Sequence, residues 1–257
     1  MFQSIIKIFK PIIFLPLLNL LVFFYHYIPD IGVVIIILTV LSRLALLPSF
    51  HKSLKQQKAM QVLQPKINEI KEKFKNDKQG EAQALMELYK KHDFNPLSSC
   101  LPLLIQLPIL IALYQVFIRS LNGSALTGLY SFVPQPGHIN PFFLHFIDLS
   151  QQNIYLALLA GILQHIQTRM ILPKTKSTDP TAQMSTYMTL YYLPFITIIL
   201  GVKIAIPLAS RTIHFGLGLP AGLVLYWVMT TLFTIGQQYY ILWREVEITE
   251  EIIHGTK

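Results

Sequence analysis

Arg43 is the residue in this sequence most able to do chemistry, because it is a single charge inside a long apolar run. The run is IGVVIIILTVLSRLALLPSF, residues 31–50. A charged side chain deep in a bilayer costs roughly 3 kcal/mol on insertion scales and usually faces a bundle interior or a wet cavity. Two placements remain open at this point. Arg43 lies in a hydrated recess, where it attracts anions or carboxylates, or it snorkels to the inner headgroups beside Pro48.

Polar side chains on other apolar runs could line the same recess. Gln164 and Gln167 are three positions apart, so they share one helix face. Taken singly, such residues are more typical of helix–helix hydrogen bonding. Trp227 lies well inside its run, where an interfacial aromatic belt is not expected. The other polar candidates are Gln106, Gln115, Thr186, Thr189, Thr230, Thr231 and Gln237, whereas Tyr226 could equally belong to an interfacial aromatic belt.

Motifs for covalent or metal catalysis are not found in the sequence. It has no P-loop, no HExxH, no GxSxG and no acidic pair placed for acid–base work. The histidines have no metal-ligand spacing, and Cys100 is the single cysteine, so neither a thiol metal site nor a disulfide framework is expected. We therefore predict a protein that is not an enzyme and has no catalytic residues, metal or cofactor.

The elements that must position these residues are membrane-spanning helices. Of the 257 residues, 53% are hydrophobic and 13% are charged, whereas soluble domains carry about 25% charged residues. The apolar residues form blocks of about 20, the length that crosses a hydrocarbon core as a helix. We predict an all-α integral membrane protein with five transmembrane helices, at 30–50, 96–119, 152–172, 184–206 and 217–241.

Basic residues set the predicted orientation. Ten of the 21 Lys and Arg residues lie in the segment 51–95, and the positive-inside rule places such a loop in the cytoplasm. With that segment fixed, 15 basic residues lie inside and five outside. The outer loop is then 120–151, the second cytoplasmic loop is 173–183, and the tail 242–257 is cytoplasmic. The net charge of +8 is thereby explained without a nucleic-acid partner.

Two further segments flank the first span. Residues 5–28 are apolar but interrupted by prolines, Asn19 and His26, so an interfacial helix on the outer face and a sixth span both remain open. Charge alone slightly favours the second of these. Residues 51–95 read as two helices with a turn at 75–80, each with an apolar stripe and a charged side. We expect an antiparallel cytoplasmic helical hairpin at the membrane surface.

Three stretches of the sequence resemble the YidC-type family of membrane protein insertases. They are Leu38–Phe74, with an arginine in a span, a proline exit and a Lys- and Gln-rich helix; Asn95–Phe117, NPLSSCLPLLIQLPILIALYQVF; and Leu219–Ile241, LPAGLVLYWVMTTLFTIGQQYYI. The order of these stretches and the five-span layout extend the resemblance over nearly the whole chain. It implies a multi-pass insertase of the bacterial cell (inner) membrane. It also implies that 5–28 is an outer interfacial amphipathic helix, with the N-terminus outside.

The resemblance also implies which residues form the site. Members of the family hold a membrane arginine in a hydrophilic groove that is open to the cytoplasm and to lipid, and Arg43 matches this arginine. The family's groove glutamine corresponds to Gln164 or Gln167. Its groove aromatic corresponds to Trp227, with Tyr226 beside it. We therefore predict a substrate groove formed by Arg43, Gln106, Gln164, Gln167, Tyr226, Trp227 and Thr230. Many relatives have asparagine where this chain has Thr230-Thr231, which leaves that polar contact open.

The implied partners are nascent membrane proteins and the lipid bilayer. The groove captures a polar flank, and the apolar segment is released into lipid. A ribosome, a targeting receptor or a Sec-type translocon would dock on the 51–95 hairpin, because the tail 242–257 is short and net acidic, unlike the basic ribosome-binding tails of some relatives. The alternative is a small-solute or anion transporter or channel that uses Arg43 as a binding site. The sequence shows neither inverted repeats nor a second intramembrane charge, which argues against a transporter.

Overall fold

The structure, a computed structural model, divides the chain into two compact units. The residues that it describes are 10–92, 94–95, 106, 109–115, 118, 128–137, 139–172, 180–208 and 211–243. The first unit draws on Met1–Ala45, Leu103–Leu163 and Phe195–Phe233, and the second on Leu46–Pro102, Gln164–Pro194 and Thr234–Lys257. The described residues are mostly helical, with eight α-helices and two short antiparallel β-ribbons. A predominantly helical protein is therefore confirmed, which is consistent with the predicted all-α membrane protein; the two ribbons are short additions to the helices.

The N-terminal apolar segment is helical and buries one face in the first unit. A π-helical turn, Lys10–Phe14, leads into α1, Leu15–Tyr27. The buried side chains recur at helical spacing: Phe14, Leu18, Asn19, Leu21, Val22 and Tyr25. Of the predicted segment 5–28, residues 5–9 lie outside the described residues. Whether this segment spans a bilayer or lies on its surface stays a prediction.

Asn19 ties α1 to the outer loop. Its amide nitrogen donates to the carbonyls of Leu15 (2.8 Å) and Gly128 (3.1 Å). Its amide oxygen accepts from the Tyr130 backbone N–H at 2.6 Å. Asn19 is buried, so these bonds satisfy a polar group that would otherwise cost free energy to bury.

The first predicted span contains a helix that ends earlier than the sequence indicated. Helix α2 is Ile31–Ala45, and α3, Leu47–Lys73, begins almost immediately with Pro48 in its first turn. Proline is favoured in the first turn of a helix, so Pro48 marks the start of a new helix; α3 also contains Pro65 in its interior. The predicted boundary at residue 50 therefore lies inside α3.

Asp30 caps α2 and also holds a turn of the outer loop. Its Oδ1 accepts from the N–H groups of Gly32 and Val33 at 2.9 and 3.1 Å, which are the hydrogen bonds of an N-cap. Its Oδ2 accepts from the Leu144 N–H at 2.7 Å. Leu144 has φ 49°, a left-handed conformation that costs about 1–3 kcal/mol for a residue other than glycine. The carboxylate helps to offset that cost.

The outer loop contains the first β-ribbon and leads into the third apolar run. Strand β1, Phe142–Phe143, pairs antiparallel with β2, Ile147–Asp148. Helix α5, Ile154–Ile171, follows, and Asn153 caps it by accepting from the Tyr155 N–H at 3.0 Å. The described part of this loop from residue 139 onward therefore contains regular structure as well as turns.

Within the described residues, one helix, Ile154–Ile171, is by itself long and apolar enough to cross a membrane. Helices α2 and α3 meet the same criterion when they are counted together, and Pro11–Tyr27 and Met188–Gly201 are shorter apolar helices. Much of the predicted span 96–119 lies outside the described residues, although its described part, 109–115, is helical. The five-span layout therefore stays a prediction.

The fourth apolar run is broken, unlike the continuous helix predicted for 184–206. Helix α6, Pro180–Tyr187, passes through a π-helical turn, Met188–Tyr192, into α7, Leu193–Gly201. Pro194 cannot donate a backbone hydrogen bond, and a π turn is a usual accommodation to such a break. The run therefore contains two helical pieces.

The second β-ribbon begins within the residues predicted for the fourth span, 184–206. Strand β3, Ile204–Leu208, pairs antiparallel with β4, Arg211–Phe215. Isoleucine and threonine recur in these strands, and β-branched residues favour extended backbone. Gly216 follows with φ 97°, and a Cβ there would meet the Val202 carbonyl, so the ribbon can end in this way only at glycine.

The core of the first unit joins α1 and α2 to residues 109–115 and to the start of α8, Ala221–Trp243. A second cluster packs small residues closely, as membrane helices often do. Its buried members are Ala157, Ala160, Val202, Val224 and Val228. A Cβ on Gly201 would lie 2.7 Å from the Cβ of Ala157, so the end of α7 approaches α5 more closely than a side chain allows.

The second unit is built around two packed helices, α3 and α4, the latter being Lys78–Lys91. Their core consists of Ala59, Leu63, Ile67 and Phe94, with Met60, Leu85, Leu88 and Tyr89 against it. Burial raises the pKa of the Tyr89 phenol, and the charge of Lys71 partly opposes this, so the phenol stays neutral at physiological pH. Helix α4 begins at Lys78, inside the predicted turn 75–80. The apolar stripes of the two helices thus form their packing face.

Two side chains tie the C-terminal half of α5 into the second unit. Gln61 Nε2 donates to the Leu172 carbonyl at 2.6 Å, just beyond the end of α5. His165 Nδ1 lies 2.9 Å from the Leu190 carbonyl. That carbonyl is four residues before Pro194, which has no N–H to bond it. The imidazole N–H therefore donates to a carbonyl that cannot accept from residue 194 in the usual α-helical pattern.

We expect Asp30→Ala to lower the free energy of unfolding by about 2–3 kcal/mol, because it removes a helix cap and a charge-assisted hydrogen bond to Leu144. Thermal unfolding in detergent, followed by circular dichroism, measures this loss. Asp77→Ala is the matched control, since Asp77 is exposed and caps α4 by accepting from the Gly80 N–H at 3.0 Å. It should cost only about 1 kcal/mol. Equal losses in the two variants would contradict the role given to the Leu144 bond.

Candidate functional site

Arg43 is buried in the first unit. Its side chain is 7% exposed, whereas its neighbours Leu41 and Leu44 are 44% and 51% exposed. On a helix, residues one or two positions apart point in different directions, so α2 turns its leucines outward at this level and its arginine inward. The side chain of a snorkelling arginine would reach the membrane surface and be exposed, whereas the side chain of Arg43 is buried.

Gln106 links Arg43 to Tyr226. The Arg43 guanidinium donates from Nη2 to Gln106 Oε1 at 3.4 Å. The Gln106 amide donates from Nε2 to the Tyr226 hydroxyl. A guanidinium, an amide and a phenol from three segments of the chain thus form one hydrogen-bonded chain. Tyr226 is buried, so its hydroxyl lies where hydrogen bonds are strengthened by a low local dielectric.

The remaining predicted site residues of α8 are placed differently. Trp227 is half-buried. Thr230 and Thr231 are buried, and their hydroxyls donate to the Trp227 carbonyl at 2.8 and 2.9 Å. Hydroxyls that bond the preceding turn in this way are a common means of burying threonine in a helix. Thr230 thus lies near Tyr226 along α8, but its hydroxyl is directed at backbone.

Gln164 and Gln167 belong to the second unit. Gln164 is buried and Gln167 is half-buried, so Gln164 is the more enclosed of the two. Of the other polar candidates, Gln115 is half-buried in the first unit and Thr186 is half-buried in the second. The prediction that Gln164 or Gln167 shares a groove with Arg43 stays a prediction.

Thr39 and Gln238 are among the buried polar residues that the sequence reasoning did not single out. Thr39 lies one turn before Arg43, and its hydroxyl donates to the Ile35 carbonyl at 2.6 Å. Gln238 is buried, and within the described residues neither its Nε2 nor its Oε1 has a hydrogen-bond partner. A buried amide without a partner costs about 1–3 kcal/mol. The adjacent amides of Gln237 and Gln238 in an apolar helix were the signal available in the sequence.

The chemistry of this site is recognition by hydrogen bonds and charge. A guanidinium presents five N–H donors and binds carboxylates with two of them at once. Across the described ranges, no group of three His, Cys, Asp or Glu residues is placed to hold a metal ion. Arg43, Gln106 and Tyr226 thus place a guanidinium, an amide and a phenol within one hydrogen-bonded group.

Comparison with known proteins gives the family. A family model described as 60Kd inner membrane protein matches residues 23–247. The chain belongs to this family. The match includes all three stretches that carried the resemblance to YidC-type insertases, and it confirms that resemblance. Membership also makes the chain a protein of the bacterial inner membrane.

Curated members of the 60Kd inner membrane protein family are similar to most of the chain. Proteins named membrane protein insertase YidC from Geotalea daltonii and Geobacter sulfurreducens are 37% and 35% identical to it over 228 residues, which cover 88% of the chain and 36% of each relative. The protein of the same name from Pelobacter propionicus is 37% identical over 239 residues, covering 88% of the chain and 38% of the relative. The chain thus spans little more than a third of the length of these relatives.

Proposed function

We propose that this chain is a membrane protein insertase that receives the polar flank of a nascent membrane protein in a hydrophilic groove containing Arg43. The relatives that it matches are named membrane protein insertase. The observation that carries the proposal is the burial of Arg43 in hydrogen-bond contact with Gln106. The chain belongs to a family of bacterial inner membrane proteins. In such a protein, an arginine that faces inward can bind the polar flank of a substrate.

The groove lowers the barrier to moving polar groups across hydrocarbon. Unsatisfied backbone and charged groups are costly there, and a hydrated groove shortens the dry part of the path. Arg43 attracts acidic residues of the incoming flank. The apolar segment then leaves through the lipid-facing side of the groove, driven by its own burial at about 25 cal/mol per Å². The process requires no covalent step.

The proposed topology has five spans, with the N-terminus outside and the C-terminus in the cytoplasm. Ten of the 21 basic residues lie in 51–95, which supports a cytoplasmic position for α3 and α4. These helices would meet the nascent chain together with a ribosome, a targeting receptor or a Sec-type translocon. Their exposed lysines, including Lys52, Lys66, Lys73, Lys78 and Lys90, suit acidic partners.

Gln106 holds the Arg43 guanidinium in place in this proposal. Its oxygen accepts from Arg43 and its nitrogen donates to Tyr226, so the amide cannot turn without losing one of these bonds. A guanidinium fixed in this way loses less conformational entropy when it binds a carboxylate. Gln106 and Tyr226 are therefore positioning residues for Arg43.

Site-specific photocrosslinking tests the groove. A crosslinker at position 106 or 227 should capture the polar flank of a ribosome-stalled single-span protein, whereas one at Ile162, which is exposed on α5, should capture lipid or the apolar segment. Capture of the polar flank at position 162 alone would refute a groove at Arg43.

We expect Tyr226→Phe and Gln106→Leu each to slow insertion by about three- to tenfold, because an interaction worth about 1 kcal/mol is lost in each case. The double variant should be only slightly slower than either single variant, since the two residues act through one hydrogen bond. Initial insertion rates into proteoliposomes measure the cycle. Thr231→Val is the control, because the Thr231 hydroxyl bonds the Trp227 carbonyl of its own helix. Fully multiplicative effects would show that the two residues act separately.

A further inference from the structure

The turn Phe142–Phe146 exposes large apolar side chains in a stretch without charge. Phe142 is 42% exposed, Leu144 50% and Phe146 70%. Residues 120–147 contain no Lys, Arg, Asp or Glu, and the acidic residues that adjoin the turn are Asp30 and Asp148. Exposed apolar clusters of this kind mark contact surfaces.

The turn is held in a fixed shape. Strands β1 and β2 pair on either side of it, and Asp30 accepts from the Leu144 N–H. Leu144 and His145 have φ 49° and 70°, which only a well-fixed turn maintains in residues other than glycine. A rigid turn presents its side chains to a partner at a low entropic cost.

The ribbon is bonded to the starts of helices in the first unit. The Leu149 carbonyl accepts from the Gly222 N–H at 3.0 Å, and the Gln151 carbonyl accepts from the Ala221 N–H at 2.8 Å, both at the start of α8. Asp30 lies at the start of α2, and α5 begins seven residues after Ile147. The turn therefore lies at the end of the first unit where these three apolar helices begin.

The apolar surface continues from the loop into α5. The helix that is long and apolar enough to cross a membrane starts with exposed apolar residues, and these recur along it: Ile154, Tyr155, Leu158, Leu159 and Ile162. In an inner membrane protein such a stripe faces lipid. The turn at the start of that stripe is uncharged and contains phenylalanine and leucine. Aromatic residues are enriched where membrane proteins cross the bilayer interface, so the composition of the turn suits that position.

We propose that Phe142, Leu144 and Phe146 insert into the interfacial region of the lipid bilayer and anchor the outer loop at a fixed depth. The partner is the phospholipid bilayer itself. The assignment to the outer leaflet rests on the topology given under the proposed function, whereas insertion into lipid rests only on the turn and on the membrane setting. Asp30 bonds both the turn and the start of α2, so the depth of the turn in the bilayer also fixes the depth at which α2 begins.

Fluorescence quenching tests the anchor. The protein carries Cys100→Ser together with Phe146→Cys, labelled with the environment-sensitive dye NBD, in vesicles of phosphatidylcholine and phosphatidylglycerol. Lipids with a nitroxide near the headgroup should quench the dye at position 146 by about twofold or more relative to Gln135→Cys, an exposed site in the same loop. Adding Asp30→Ala should reduce that quenching, because it releases the turn.

Other outcomes would overturn the proposal. Equal quenching at positions 146 and 135 would show that the turn lies in water. An unquenched but blue-shifted dye whose emission changes on dilution with unlabelled protein would show that a second copy covers the turn. Membrane-impermeant dithionite, which reduces and bleaches the dye, distinguishes the leaflets. In inside-out vesicles the dye should be bleached by dithionite in the lumen and not by dithionite added outside. Phe146→Ser should keep its insertion activity, so loss of the anchor is distinguishable from failure of the proposed function.

Discussion

Replacing Arg43 by alanine should slow insertion of a single-span protein with an acidic outer flank by about tenfold or more, which corresponds to at least about 1.4 kcal/mol of lost stabilisation. The flank would then cross without a fixed positive charge in the groove. The variant also takes the Arg43 donor from Gln106 Oε1, a loss of about 1–3 kcal/mol, so folding is checked alongside the rate. Protease protection of the substrate flank in proteoliposomes measures the rate, and the thermal midpoint confirms folding.

A matched substitution separates charge in the groove from charge in general. Arg169 lies in the last turn of α5 and is exposed, and Arg169→Ala should change the rate by less than about twofold, as expected of a screened surface charge. A substrate whose acidic flank is neutralised to Asn and Gln should depend much less on Arg43. Full activity of Arg43→Ala with the acidic substrate would remove the basis of the proposed function.

Gly201→Leu is expected to destabilise the first unit by about 3 kcal/mol, because a well-packed contact has no room for the added atoms. Even a Cβ at this position would lie 2.7 Å from the Cβ of Ala157 and 3.4 Å from Cγ2 of Val224. Helix α7 would have to move away from α5 and α8. The change is measured as a lower thermal midpoint in detergent and as faster proteolysis of the outer loop.

Gly236→Leu is the control for this substitution. Gly236 lies inside α8, and no atom lies within 4 Å of a Cβ built there. Leucine is a better helix former than glycine by about 0.8 kcal/mol, so this variant should be unchanged or slightly more stable. Comparable destabilisation of both variants would mean that the cost comes from leucine in a membrane helix and not from the contact between α5 and α7.

Arg43 could be singled out from the sequence because a charge inside an apolar run is costly wherever it lies. Its hydrogen-bonded neighbours could not be identified in the same way. Gln106 was one of several polar residues on apolar runs, and its partner Tyr226 is 120 positions away. Hydropathy shows that such residues need partners, but tertiary packing selects which ones they find. Thr230 shows the limit, since its hydroxyl bonds the Trp227 carbonyl of its own helix.

The breaks in the fourth apolar run were beyond the reach of hydropathy. Ile204–Leu208 is as apolar as a helix interior, and a short apolar run cannot be assigned to helix or strand by periodicity alone. Its pairing with Arg211–Phe215 depends on a reversal of the chain between them. The π turn Met188–Tyr192 likewise depends on how the chain accommodates Pro194. Lengths of apolar sequence therefore predicted where the run lies but not its internal geometry.

The Asn19 amide gives the N-terminal helix a fixed roll angle. An apolar helix surrounded by lipid tails is free to turn about its long axis, since lipid offers every direction the same contact. Turning α1 would break the bonds from Asn19 to Gly128 and Tyr130, in a buried position where solvent cannot replace them. Leu20 and Phe23, which are exposed on this helix, thus always point away from the core. Helix α1 is therefore a fixed part of the first unit, and it moves together with the loop that contains Gly128 and Tyr130.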